Sequence, residues 1–148
     1  MREILFRAKT QPNCKSSMTG KIIKKPKWIY GYIDLGYMHD CKTALISDEK
    51  GNNVYKCQYE TIGQYTGLTD KNGTKIFEGD IVKAQDDIFG SPFCNGITGK
   101  VVYEETAFFI EPKDPMETQW LFNECAVYEV IGNIHDNPEL LKELGKDD

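Results

Sequence analysis

Four glycines punctuate residues 61 to 82, at Gly63, Gly67, Gly73 and Gly79, and in this stretch the turns are better specified than the strands they join. Asn72-Gly73 is a two-residue hairpin signal, because both residue types tolerate positive φ. Gly79-Asp80, directly before Ile81-Val82, marks a tight entry into a strand. The apolar residues that must fill the segments between turns include eight Tyr, seven Phe and two Trp. Aromatic and β-branched side chains suit a pleated, half-buried surface better than a helix, so the chain is expected to be mostly β. Its 148 residues match one domain, or two small β units sharing an interface. A chain of this length hides roughly two thirds of its unfolded surface on folding, enough to need neither metal nor disulfide.

The same punctuation extends along the chain. Residues 2 to 8 alternate enough to form an opening strand, followed by a loop through Gln11-Pro12-Asn13 and the Ser-Gly stretch after it. Lys21 to Leu35 mixes lysines with Ile22, Ile23, Trp28, Ile29, Tyr30, Tyr32 and Ile33, with Pro26 interrupting, and predicts two short strands or one bent edge strand. Thr43 to Ser47 and Asn53 to Gln58 flank Asp48-Glu49-Lys50-Gly51-Asn52, the pattern of a hairpin. Gly99 to Tyr103 and Ala107 to Ile110 pair around Glu104-Glu105-Thr106; a loop through Pro112 and Pro115 leads to strands at Thr118 to Phe122 and Tyr128 to Ile134. Asn137-Pro138-Glu139 opens a short helix as an N-cap followed by Pro, with Leu140, Leu141 and Leu144 as its apolar stripe and Gly145 as its stop. The expected organisation is an amino-terminal β segment, 1–59, and a second unit, 60–148.

Charge is distributed unevenly. Residues 1 to 75 carry thirteen Lys and Arg against seven Asp and Glu, whereas residues 76 to 148 carry five against sixteen, giving halves of plus six and minus eleven within a net charge of minus five. Opposite halves can attract within the chain, pair head to tail between subunits, or offer the basic half to an acidic partner. Cys14, Cys41, Cys57, Cys94 and Cys125 are odd in number and widely spaced, with no pair at zinc-ribbon or redox-motif spacing, as expected of reduced thiols in a cytoplasmic protein. The opening Met1 to Arg7 has only a three-residue apolar run, and no stretch approaches the roughly 18 apolar residues of a membrane span, so neither an export nor a membrane segment is expected.

Three stretches carry a family resemblance: Met1-Arg2-Glu3-Ile4-Leu5-Phe6-Arg7-Ala8; Gly63-Gln64-Tyr65-Thr66-Gly67-Leu68 through Gly79-Asp80-Ile81-Val82; and Val130-Ile131-Gly132-Asn133-Ile134 through Asn137-Pro138-Glu139-Leu140-Leu141. In this order they resemble the YopX family of phage and prophage proteins, while Lys9 to Glu60 rests on pattern alone. The resemblance implies an SH3-like β-barrel in the carboxy-terminal part, here from about residue 60 to 135, and a place in the host bacterial cytoplasm. It implies no catalytic residues and no cofactor.

Candidate sites divide between chemistry and ordinary structure. Lys21, Lys24, Lys25 and Lys27 beside Trp28, Tyr30 and Tyr32 have the composition of a single-stranded nucleic-acid surface, where cations hold phosphates and aromatic faces stack bases. Lysines also protect an edge strand from aggregation while the aromatics face the core. His39-Asp40-Cys41 places three metal-ligand types together, but neighbours on a strand point to opposite faces, and His135-Asp136 precedes a helix cap where Asp and Asn serve turns. Asp70-Lys71-Asn72-Gly73 lacks the further ligands of a calcium loop and reads as a turn. Asp86-Asp87 and Glu104-Glu105 have the composition of a solvated acidic face unless the fold brings them together. Neither a nucleophile elbow nor a phosphate loop is present. The function expected is therefore a non-catalytic binding or assembly protein that forms homo-oligomers, with another phage or host protein as a further partner and nucleic-acid binding through residues 21–32 as the alternative.

Overall fold

A computed structural model of the chain describes residues 3–34, 42–86, 96–122, 124 and 126–143. They form two compact units, Met1–Tyr65 and Thr66–Asp148, both built mostly from antiparallel strands. The division falls inside one strand, six residues past the boundary expected at 59/60.

The first unit contains β1 (Phe6–Lys9), β2 (Cys14–Lys15), β3 (Ile22–Ile23), β4 (Trp28–Ile33), β5 (Thr43–Asp48), β6 (Val54–Gln58) and the start of β7 (Gly63–Thr69). Its main sheet runs β6-β5-β4-β1-β7, and β2 with β3 forms a separate ribbon. Directly opposite residues of an antiparallel pair share a sheet face. The register Ala8 to Ile29, Ile33 to Ile46 and Ala44 to Cys57 therefore gathers Ala8, Ile29, Ile46 and Cys57 into one buried cluster, with Ile33, Tyr55 and Ile62 against it. Gly31 belongs to the same face and is required there: a Cβ at this position would stand 1.8 Å from the Ser47 carbonyl oxygen of β5. The expected hairpin is present, closed by Asn52 N–H donating to Asp48 Oδ1 at 2.8 Å and Gly51 N–H to the Asp48 carbonyl at 2.9 Å. The Asn53 side-chain amide donates to Asp48 Oδ2 at 3.1 Å, and this bond foremost, with those from the backbone N–H groups, outweighs desolvation and holds the Asp48 carboxyl below its ordinary range.

The expected opening strand begins later, at Phe6, and the segment predicted as plain loop contains β2. The Lys21 to Leu35 stretch does divide at Pro26, into β3 and β4. However, β4 is no edge strand: β1 pairs with it on one side and β5 on the other.

In the second unit, the end of β7 pairs with β8 (Lys75–Phe77), and β9 (Asp80–Asp86), β10 (Ile97–Glu104), β11 (Ala107–Glu111), β12 (Gln119–Trp120) and β13 (Ala126–Asn133) form a sheet in the order β12-β11-β10-β9-β13. Val82, Ala84, Ile97, Val101, Ile110, Leu121 and Tyr128 bury together with Ile76. The β7–β8 turn is the one announced by Asn72-Gly73, with Gly73 at φ +79°. Asp70 organises it: Oδ1 accepts the N–H groups of Asn72 and Thr74 at 2.8 and 2.9 Å, while Oδ2 accepts that of Val130, sixty residues away on β13, at 3.0 Å. Asp80 does similar work at the next corner, accepting the Phe77 N–H at 2.8 Å.

The short helix α1 (Glu139–Glu143) follows Asn137-Pro138, and the Leu140 N–H donates to the Asn137 carbonyl. The Asn137 side chain instead accepts from Asn133 N–H at 3.3 Å, fastening the helix entry back onto β13. Leu144 and Gly145 lie outside the described residues.

Candidate functional site: a basic aromatic face

In β4 the period of two sends Trp28, Tyr30 and Tyr32 to the face opposite the core cluster. Across β1, Lys9 lies opposite Trp28 and Arg7 opposite Tyr30, so two cations join the same face. The Arg7 guanidinium sits 4.6 Å and the Lys9 ammonium 5.7 Å from the Trp28 ring centre, both within cation–π range. Trp28 is thereby held by protein cations, whereas Tyr30 and Tyr32 are 43% and 48% exposed.

The four candidate lysines precede this strand, and their backbone is anchored. Ser16 N–H donates to the Lys21 carbonyl at 2.9 Å, Asn13 N–H to the Lys24 carbonyl at 3.3 Å and Thr10 N–H to the Lys27 carbonyl at 2.9 Å. Lys27 N–H returns a bond to Thr10 Oγ1 at 3.0 Å. Bonds from the segment 10–16 thus fix the path of residues 21–27, while the side chains of Lys21, Lys24, Lys25 and Lys27 are all exposed. Among the described residues none of the four is ion-paired. Exposed ammonium groups on a braced backbone, continuous in sequence with an aromatic strand face, form an anion-attracting surface whose layout does not depend on a ligand to order it. Arg7 and Lys9 were missed as members of this face. Their alternation is visible in the sequence, but their pairing with a strand some twenty residues away is not.

Other sequence candidates fall elsewhere. His39, Asp40, Cys41, Asp87, Cys94 and Cys125 lie outside the described residues. His135 and Asp136 occupy a turn in which Asn133 Oδ1 accepts both their N–H groups, at 3.0 and 2.9 Å. Glu104 and Glu105 are exposed at the β10–β11 connection, with Glu105 at φ +50°. Cys14 and Cys57 are buried free thiols, and burial, with the charge of Cys14 adding to it, pushes the Cys57 thiol up to about 12. Among the described residues no three His, Cys, Asp or Glu side chains are grouped to hold a metal, and no helix is long and apolar enough to cross a membrane.

The family model described as YopX protein matches residues 20–142, a span that starts just before Lys21 and ends within α1. The chain belongs to the YopX family. The whole basic aromatic segment 21–32 and the whole second sheet fall within the YopX match, while Arg7 and Lys9 precede it. Among solved structures, the chain is similar to protein EF1440 from Enterococcus faecalis, known from a crystal structure, at 26% identity over 95% of this chain and 99% of that one, with a TM-score of 0.41. No curated protein matches the chain.

Proposed function

We infer that this YopX-family chain is a non-catalytic accessory protein of a phage or prophage, acting in the host bacterial cytoplasm by binding, and that it self-associates. The observation that carries this reading is the opposition of charge between its units. Met1–Tyr65 holds eleven Lys and Arg against six Asp and Glu, and Thr66–Asp148 holds seven against seventeen. Four of the unit-one cations are displayed together by a braced segment, ready for an acidic surface. The order β12-β11-β10-β9-β13, a meander whose last strand returns beside its first, supports an SH3-like barrel in unit two, a frame that serves binding in many settings. A binding role also suits the buried carboxylates Asp70 and Asp80, which accept backbone N–H groups and hold turns.

The second reading is single-stranded nucleic acid on the same face, favoured by the exposure of Tyr30 and Tyr32 beside the lysines. Lys24→Glu with Lys25→Glu separates the readings from an enzyme or a scaffold that ignores this face. The self-association reading expects the variant to lose low-salt association while the wild type shows no saturable anisotropy change with labelled DNA or RNA. Saturable, steeply salt-dependent nucleic-acid binding that the variant loses, with self-association untouched, assigns this face to the second reading; the same binding by a wild type that stays monomeric overturns the first.

A further inference from the structure

The second unit has an apolar row of its own, half-buried at Val102 and Phe109 and exposed at Trp120. Val102 of β10 lies opposite Phe109 of β11, and Phe109 lies opposite Trp120 of β12, so the three run side by side on one sheet face. That face is turned away from the core, since the alternate residues Val101 and Ile110 are the buried ones. The Phe109 and Trp120 rings are 4.6 Å apart, which fixes the row before any partner arrives. Trp120 is nevertheless 63% exposed and Phe122, two residues on, 67% exposed. Exposed aromatics that are already ordered are what interface centres are made of.

By the alternation of β10 and β11, Glu104, Glu111 and Lys100 share the face of this row, and the segment that carries it is acidic. From residue 104 to 124 there are six carboxylates, Glu104, Glu105, Glu111, Asp114, Glu117 and Glu124, against one cation, Lys113. Glu111 is paired with Lys100 at 3.3 Å, and the other five residues are exposed. An aromatic centre with an acidic rim fits a partner with an aromatic centre and a basic rim. In the first unit Tyr30 and Tyr32 are exposed on β4, Arg7 and Lys9 lie on the same face across β1, and the exposed Lys21, Lys24, Lys25 and Lys27 lead into the strand.

We propose that the Val102–Phe109–Trp120 face of one copy docks on the Tyr30–Tyr32 face of a second copy, acidic rim against lysines. This rests on the self-association reading and names its two surfaces. Because the surfaces differ, the contact is head to tail, and successive copies close a ring or continue as a chain. Stacked aromatics hold the centre, while the charges set orientation and association rate.

The test is sedimentation velocity on two variants, separately and mixed at low salt. Trp120→Ser with Phe122→Ser removes the acidic unit's apolar centre but keeps the lysines; Lys24→Glu with Lys25→Glu removes the basic rim but keeps the row. Each alone is expected to sediment as a monomer, whereas their equimolar mixture forms a dimer and goes no further, since each copy retains one competent surface. Glu104→Lys with Glu117→Lys, which leaves the aromatic packing intact, replaces the first variant if circular dichroism shows that it fails to fold. Wild-type mass in the row variants refutes the assigned surface while leaving self-association standing. Loss of association in the row variants but not in the lysine variant means that like faces pair, and overturns the head-to-tail contact. A monomeric wild type overturns both this contact and the reading on which it rests.

Discussion

Replacing Asp70 by Ala isolates the link between the β7–β8 turn and β13. The carboxylate is 7% exposed and accepts three backbone N–H groups. Two of these, from Asn72 and Thr74, belong to exposed residues, so water takes over much of their bonding after truncation. The third, from Val130 on the half-buried β13, has no such easy substitute. A hydrogen bond to a charged group contributes about 1.5 to 3 kcal/mol, which sets an expected loss of roughly 2 to 3 kcal/mol for Asp70→Ala. The exposed Lys71–Glu129 pair at 3.2 Å adds little and does not compensate. Asp70→Asn keeps one acceptor oxygen but places an amide donor within the same set of N–H groups, and is expected to lose nearly as much. The pH dependence separates charge from packing. Burial alone raises the Asp70 carboxyl, but the bonds from Val130, Thr74 and Asn72 outweigh it and hold the group below its ordinary 3.8. A depressed folded value stabilises above the unfolded value and ceases to do so as pH falls through the folded one, so the gap between wild type and Asp70→Asn narrows below pH 3.8. Urea unfolding gives the energies, and amide exchange at Val130 reports the bond itself. A loss under about 0.5 kcal/mol with unchanged Val130 exchange refutes the assignment.

Two further perturbations follow. Cys57 is fully buried with its thiol raised from 9.0 to about 12, so the unfolded chain releases that proton first and folding stability declines between pH 9.0 and about 12. The slope from this group is on the order of 1 kcal/mol per pH unit, and Cys57→Ala should lose that part of it in pH-resolved urea titrations; identical alkaline slopes contradict the burial assigned to Cys57. Gly31→Val forces a side chain into the 1.8 Å space before the Ser47 carbonyl, and separating β4 from β5 should cost roughly 1 to 3 kcal/mol or more in thermal unfolding, where a neutral result means the strands are not in this register.

Turn chemistry made much of this fold legible. Asp48 to Asn52, Asn72-Gly73 and Gly79-Asp80 are local signals, satisfied within a few residues, and each marks a corner in the structure. The strands at 97–104 and 107–111 were legible for the same reason, around Glu104-Glu105-Thr106. What could not be read is non-local. β2 lies in a polar stretch with no alternation, and its two residues become a strand only by pairing with Ile22 and Ile23 across the loop. The inner position of β4 depends on β1 and β5 choosing it from both sides, which a lysine-rich approach sequence disguises as an edge. Of the candidate site, the lysines and aromatics were legible by composition, whereas the backbone bonds that brace residues 21–27 and the cations over Trp28 follow from register alone. Asp70 was legible as a turn residue, but its reach to Val130 spans sixty residues and leaves no sequence mark.

The most direct test of self-association through opposed charge is the molar mass of the wild-type protein by light scattering, measured at high protein concentration across a salt series. Self-association gives a mass above the 16.9 kDa of one chain at low salt that falls toward it as salt screens the charges. A constant 16.9 kDa at every salt concentration contradicts it.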